Sequence, residues 1–136
     1  MSQSQVYLFL YEKFDVWKWI TGQRRWYHAG VNLYGKEYSY SSEGILALSH
    51  ANNFRGVPLK RTFTLAMTNI SNADFMNKIN DLGANAFSSA KHSAETNNSC
   101  HFARTLIMYL LEIDHLEPEL EEYLHPASSL SPCSIM

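Results

Sequence analysis

A chain of 136 residues with 46% hydrophobic and 18% charged residues has the length and composition of one globular domain, which excludes a disordered or coiled-coil segment. Its formal net charge of -2, with basic pairs only as short as Arg24-Arg25 and Lys60-Arg61, excludes the basic footprint by which a nucleic-acid binder neutralises phosphates. Two cysteines, Cys100 and Cys133, make neither a disulfide framework nor a zinc knuckle and suit a reducing compartment, and no stretch has the layout of a signal peptide or a membrane span.

In chain order, "QVYLFLY" (5–11) alternates Val6, Leu8 and Leu10 with Tyr7, Phe9 and Tyr11. Both sets are apolar, as in a central strand covered on both faces. "WYHAGVNLY" (26–34) and "KEYSY" (36–40) read as two strands of a hairpin turning at Gly35-Lys36, and "SSEG" (41–44) reads as a loop. "ANNFRGVP" (51–58) carries the turn residues of an irregular connection, and "RTFTLAM" (61–67) reads as a further strand.

The period then changes. Phe75, Ile79 and Leu82 recur at helical spacing, with Ser71 and Asp74 as an entrance cap and Gly83 at the exit. A second helix is expected from Ser99 to Glu112, with Phe102, Leu106, Tyr109, Leu110 and Ile113 on one face; it is apolar most of the way round, so it belongs in the core. Pro118 suits the first turn of a third helix, and "HPASSLSPCSIM" is a Pro/Ser-rich tail. Strands first and helices afterwards predict an α+β fold, with a domain over 1–125 and a flexible tail over 126–136.

Cys100 sits at a predicted helix N-terminus, where unpaired N–H groups and the helix dipole favour a thiolate. The candidate base is His28, which shares one strand face with Gly30 and Asn32 while Tyr27, Ala29, Val31 and Leu33 point the other way. A lone histidine on a strand and a lone cysteine at a helix start are each more often structural than catalytic. His92 and His101 flank the same region, but one cysteine without a carboxylate at ligand spacing does not make a zinc site, and no metal or cofactor is expected.

The succession "YHAGV", "YGKEYSYSSEGI" and "NNSCHF", the last opening an apolar helix, resembles the PPPDE family, also called the DeSI peptidases, from the first strand to about Leu124. The resemblance implies a permuted papain-like fold with antiparallel strands first and then a buried helix carrying the nucleophile. It also implies a cysteine isopeptidase acting on SUMO- or ubiquitin-conjugated proteins, or a thioesterase acting on S-acylated ones, and it allows a homodimer. Tyr27-His28 matches the family's aromatic-histidine pair, and Tyr34-Gly35-Lys36-Glu37-Tyr38 its hairpin motif. Gly44-Ile45 matches the end of the following loop, although the family's glycine-rich loop is reduced here to "SSEG".

Family members place the nucleophilic cysteine three residues before a phenylalanine, after an asparagine. Here Asn98 is followed by Ser99, three before Phe102, and Cys100 stands one place later. A one-residue step swings a helical side chain by about 100°. Three readings stay open: Cys100 attacks in a shifted register, Ser99 attacks with His28 as base, or the domain is a non-catalytic binding module. In each catalytic reading, backbone N–H groups from Asn98 to Cys100 are the expected oxyanion donors.

The final "CSIM" has the C-a-a-X form, which predicts farnesylation of Cys133. One lipid chain gives marginal membrane residence, so the expected location is cytoplasmic with transient attachment to membrane faces, in a eukaryotic or host cell.

Overall fold

The computed structural model describes residues 3–13, 26–49, 53–54, 57–94 and 96–124. The expectations for the tail, Cys133 included, therefore lie outside the described residues. Within them the chain is α+β: strands β1 (Ser4–Lys13), β2 (Trp26–Leu33), β3 (Lys36–Ser41), β4 (Gly44–Leu48), β5 (Asn53–Phe54) and β6 (Val57–Thr68) precede helices α1 (Asn72–Ala84), α2 (Ser99–Leu111) and α3 (Pro118–Leu124). The strands form an antiparallel sheet in the order β4-β3-β2-β1-β6-β5.

β1 is central, as its double apolar alternation predicts. Val6, Leu8 and Leu10 face the helices and join the main core with Ala29, Val31, Leu33, Tyr38 and Tyr40, while Phe9 and Tyr11 form a smaller buried cluster with Tyr7, Leu48 and Leu59. The β2–β3 hairpin turns one residue earlier than expected. Leu33 pairs with Lys36, so the turn residues are Tyr34 (φ 57°) and Gly35 (φ 77°). Positive φ at both positions is the type I′ turn, one of the two-residue turns whose twist matches that of the strands. Tyr34 bears that conformation while its hydroxyl donates to Ile70 O and its ring meets Phe75 edge-on.

Two short strands escape the sequence reading. Gly44, placed in the "SSEG" loop, opens β4, which pairs with β3 from Ser41↔Gly44 to Glu37↔Leu48. Within "ANNFRGVP", Asn53 and Phe54 pair with Pro58 and Val57, so β6 begins at Val57, ahead of Arg61. Proline fits there because the ladder at that point is a sheet margin.

α1 starts as predicted, with Ser71 Oγ accepting from Asp74 N at 3.0 Å and Phe75, Ile79 and Leu82 buried. It continues past Gly83 to Ala84 and is capped at Asn85. α2 buries Phe102, Ala103, Leu106, Ile107 and Leu110. Tyr109 and Ile113, expected on that face, are 36% and 39% exposed: Glu112 ends the helix in the left-handed conformation (φ 55°), which takes Ile113 off the helical path. Each large side chain fully buried on this face stabilises the fold by about 1.5–3 kcal/mol. No described helix is long and apolar enough to cross a membrane.

Candidate functional site

The site arises where the sheet opens. β2 and β3 pair only at Val31↔Tyr38, Asn32↔Glu37 and Leu33↔Lys36, and beyond Tyr38 the pairing of β3 continues with β4 alone. The first half of β2 thus has backbone groups on that side with no β3 partner. The first turn of α2 supplies partners: Ser99 Oγ accepts from Ala29 N at 3.1 Å, and Cys100 Sγ donates to Tyr27 O at 3.4 Å. Ser99 and Cys100 therefore stand beside the same stretch of strand, one at Ala29 and one at Tyr27.

The consequence for the two candidates differs. Ala29 N is joined through one carbonyl carbon to the His28 Cα, so an oxygen 3.1 Å from that nitrogen lies within about 5.5 Å of the Cα. Accepting one bond also leaves the serine its hydroxyl proton to donate. The Cys100 sulfur instead lies between two carbonyl oxygens, Tyr27 O and Tyr123 O at 4.0 Å, and packs in the main core. Carbonyl oxygens favour a protonated thiol and oppose a thiolate.

Asn98 is the N-cap of α2. Its Oδ1 accepts from Cys100 N at 2.9 Å and His101 N at 3.3 Å, its Nδ2 donates to Ala94 O, and His101 Nδ1 accepts from Asn98 N at 3.1 Å, which closes a capping box. Cys100 N–H, one of the expected oxyanion donors, is thus occupied by the cap. Asn97 Nδ2 donates to Ala86 O and Lys91 O, which ties the preceding loop to the end of α1 and to the short 3₁₀ turn at Ser89–Lys91. His92 meets the Tyr40 ring edge-on at 5.2 Å. Burial pushes the Tyr40 hydroxyl pKa up, against a smaller downward pull from the Asn97 amide.

His28 is 2% exposed, and its ring lies 5.9 Å from that of Tyr11, its partner across the β1–β2 ladder. The Tyr11 hydroxyl donates to Glu37 Oε1 at 2.7 Å. Glu37 is 1% exposed and lies against the backbone of Gly30: a Cβ there would stand 2.0 Å from Glu37 Oε2. Tyr11, His28, Gly30 and Glu37 so share the face of the sheet opposite α2, across three strands. The sequence places Gly30 on the His28 face and does not by itself place Glu37 there. A glycine inside a strand marks a close approach, and Glu37 alternating with Tyr38 marks what approaches.

The structure thus brings Ser99 to the strand beside His28, uses Asn98 to hold the helix end, and turns Cys100 toward β2 and α3. Among known families, the description "PPPDE putative peptidase domain" matches residues 4–117. No curated protein matches the chain.

Proposed function

This chain belongs to the PPPDE peptidase family, and from that premise we propose that it is an acyl hydrolase in which the Ser99 hydroxyl, not the Cys100 thiol, is the nucleophile and His28 the base. Membership of this family supports a peptidase-like function. The observation that carries the finer reading is the contact of Ser99 Oγ with Ala29 N, the residue next to His28.

In the proposed reaction Ser99 Oγ attacks a carbonyl carbon and its proton passes to His28. The tetrahedral intermediate collapses to an acyl-Ser99 ester as His28 returns the proton to the departing amine or thiol; water, deprotonated by His28, then attacks the ester, and His28 passes that proton to Ser99 Oγ as the acid leaves. The Ser99 N–H at the start of α2 is the proposed oxyanion donor. Asn98 positions Ser99 by capping the helix. Because a serine is harder to activate than a cysteine, linkages with good leaving groups are favoured: S-acyl proteins ahead of the isopeptide bonds of ubiquitin or SUMO conjugates. A farnesylated Cys133 would bring the domain to cytosolic membrane faces, where S-acyl proteins reside.

A second reading, a binding module that does not turn its ligand over, is favoured by burial, since Ser99 is 5% and His28 2% exposed. One assay separates them: hydrolysis of a fluorogenic S-acyl substrate and of ubiquitin and SUMO C-terminal amide substrates by the wild type and by Ser99→Ala, His28→Ala and Cys100→Ala. Ser99→Ala and His28→Ala are expected to lose about a hundredfold or more, and Cys100→Ala to stay within a few-fold. Loss confined to Cys100→Ala returns the thiol to the nucleophile's role. Absence of turnover together with saturable binding of ubiquitin or SUMO makes the domain a binding module.

A further inference from the structure

We propose that Glu37, acting through Tyr11, is a positioning residue for His28. This rests on the reading of His28 as the base, and supplies the acidic partner that a serine-histidine pair needs and that the sequence did not reveal.

The geometry is that of a buried strut. The Tyr11 ring starts on β1 opposite His28, and its hydroxyl reaches Glu37 on β3, so the side chain crosses β2. The crossing passes Gly30, where the missing side chain leaves room for the carboxylate; any Cβ would collide with Glu37 Oε2 at 2.0 Å, Cδ at 2.7 Å and Cγ at 2.8 Å. The bond at Glu37 Oε1 fixes the phenol, and the phenol ring, 5.9 Å from the imidazole and tilted by 46°, forms one wall of the histidine's space.

Charge adds to position. His28 and Gly30 are two residues apart on one strand face, so a carboxylate on Gly30 lies about 7 Å from the His28 Cβ. When ionised, a carboxylate at that range favours the imidazolium that forms when Ser99 gives up its proton. Among the described residues, the titratable side chains that share the sheet face of His28 are Tyr11 beside it on β1, Glu37 from β3, and Tyr7 farther along β1. A carboxylate desolvated to 1% exposure costs stability unless it is compensated. A carboxyl group beside the candidate base is what a purely apolar packing role does not require.

Two substitutions separate charge from position. Glu37→Gln keeps an acceptor for the Tyr11 hydroxyl and removes the group that can ionise; Tyr11→Phe keeps the ring and removes the bond. The readout is the His28 imidazole titration followed by NMR, beside the pH profile of kcat on the S-acyl substrate. In Glu37→Gln the His28 midpoint is expected to fall by about one pH unit, a tenfold change in proton affinity, with a kcat loss of about tenfold and an unchanged KM. In Tyr11→Phe the midpoint moves less and the imidazole resonances broaden as the ring gains freedom. If one variant does not fold, the other carries the test. A His28 midpoint and line shape unchanged in a folded variant overturn the proposal. The titration does not depend on turnover: a shifted midpoint in a protein without hydrolase activity upholds the positioning role while removing the catalytic reading.

Discussion

The two faces of the sheet around β2 are built on different principles. The face toward the helices is filled by volume: Leu8, Leu10, Ala29, Val31, Leu33, Tyr38 and Tyr40 pack against Phe75, Phe102, Leu106 and Ile107. The opposite face, near its middle, is filled by polar groups that are equally buried: His28, Glu37 and Ser39, with the Tyr11 hydroxyl. Burying apolar area stabilises without regard to direction, whereas a buried polar group repays its desolvation only in one arrangement. The first face therefore holds the fold together and the second holds particular atoms in place. The first turn of α2 reaches the line between them through the opening of β2 from β3.

That comparison predicts that the apolar face carries the larger share of stability. Phe102→Ala should cost about 3–5 kcal/mol in urea unfolding, because Phe102 is fully buried and meets Phe87 edge-on at 5.3 Å. In the folded fraction the His28 titration should be unchanged. A loss below about 1 kcal/mol would place the core elsewhere.

Gly30→Ala probes the polar face. The new methyl meets the carboxylate rather than open space, and displacing it should cost about 1–3 kcal/mol. Combining it with Glu37→Ala should cost less than the sum of the two single changes, since the second removes what the first collides with. Additive costs would mean that Glu37 does not occupy the space over Gly30.

The smallest effect is on the pH dependence. Burial pushes the Tyr38 and Tyr40 hydroxyls above their ordinary value of 10.0. A neutral acid whose folded pKa is raised contributes stability that is fully present below the unfolded value and is lost as pH rises through the folded one. Stability should fall above about pH 10, and Tyr38→Phe should reduce that slope, as measured by urea midpoints in alkaline buffers.

Much of this organisation is legible in the sequence. The double apolar alternation of 6–11 places β1 at the centre, Ser71 and Asp74 mark the start of α1, and Asn98 and Ser99 at fixed distance before Phe102 register the helix that carries Ser99. Three things are not legible, for physical reasons. β4 is an edge strand that exists because β3 offers it a partner. The opening between β2 and β3 is a tertiary event, visible only once Ser99 takes the hydrogen bond of Ala29. What buries Glu37 is Gly30 on one neighbour and Tyr11 beyond, residues far apart in the chain that only the sheet register aligns.

The central claim is that one residue's shift at the start of α2 separates a reacting group from a structural one. The most direct measurement is peptide mapping by mass spectrometry after reaction of the wild-type protein with an acyl fluorophosphonate and with a ubiquitin carrying a C-terminal electrophile. A modification on Ser99 is expected, lost in His28→Ala and retained in Cys100→Ala. A modification found on Cys100, with Ser99 unmarked, would contradict it.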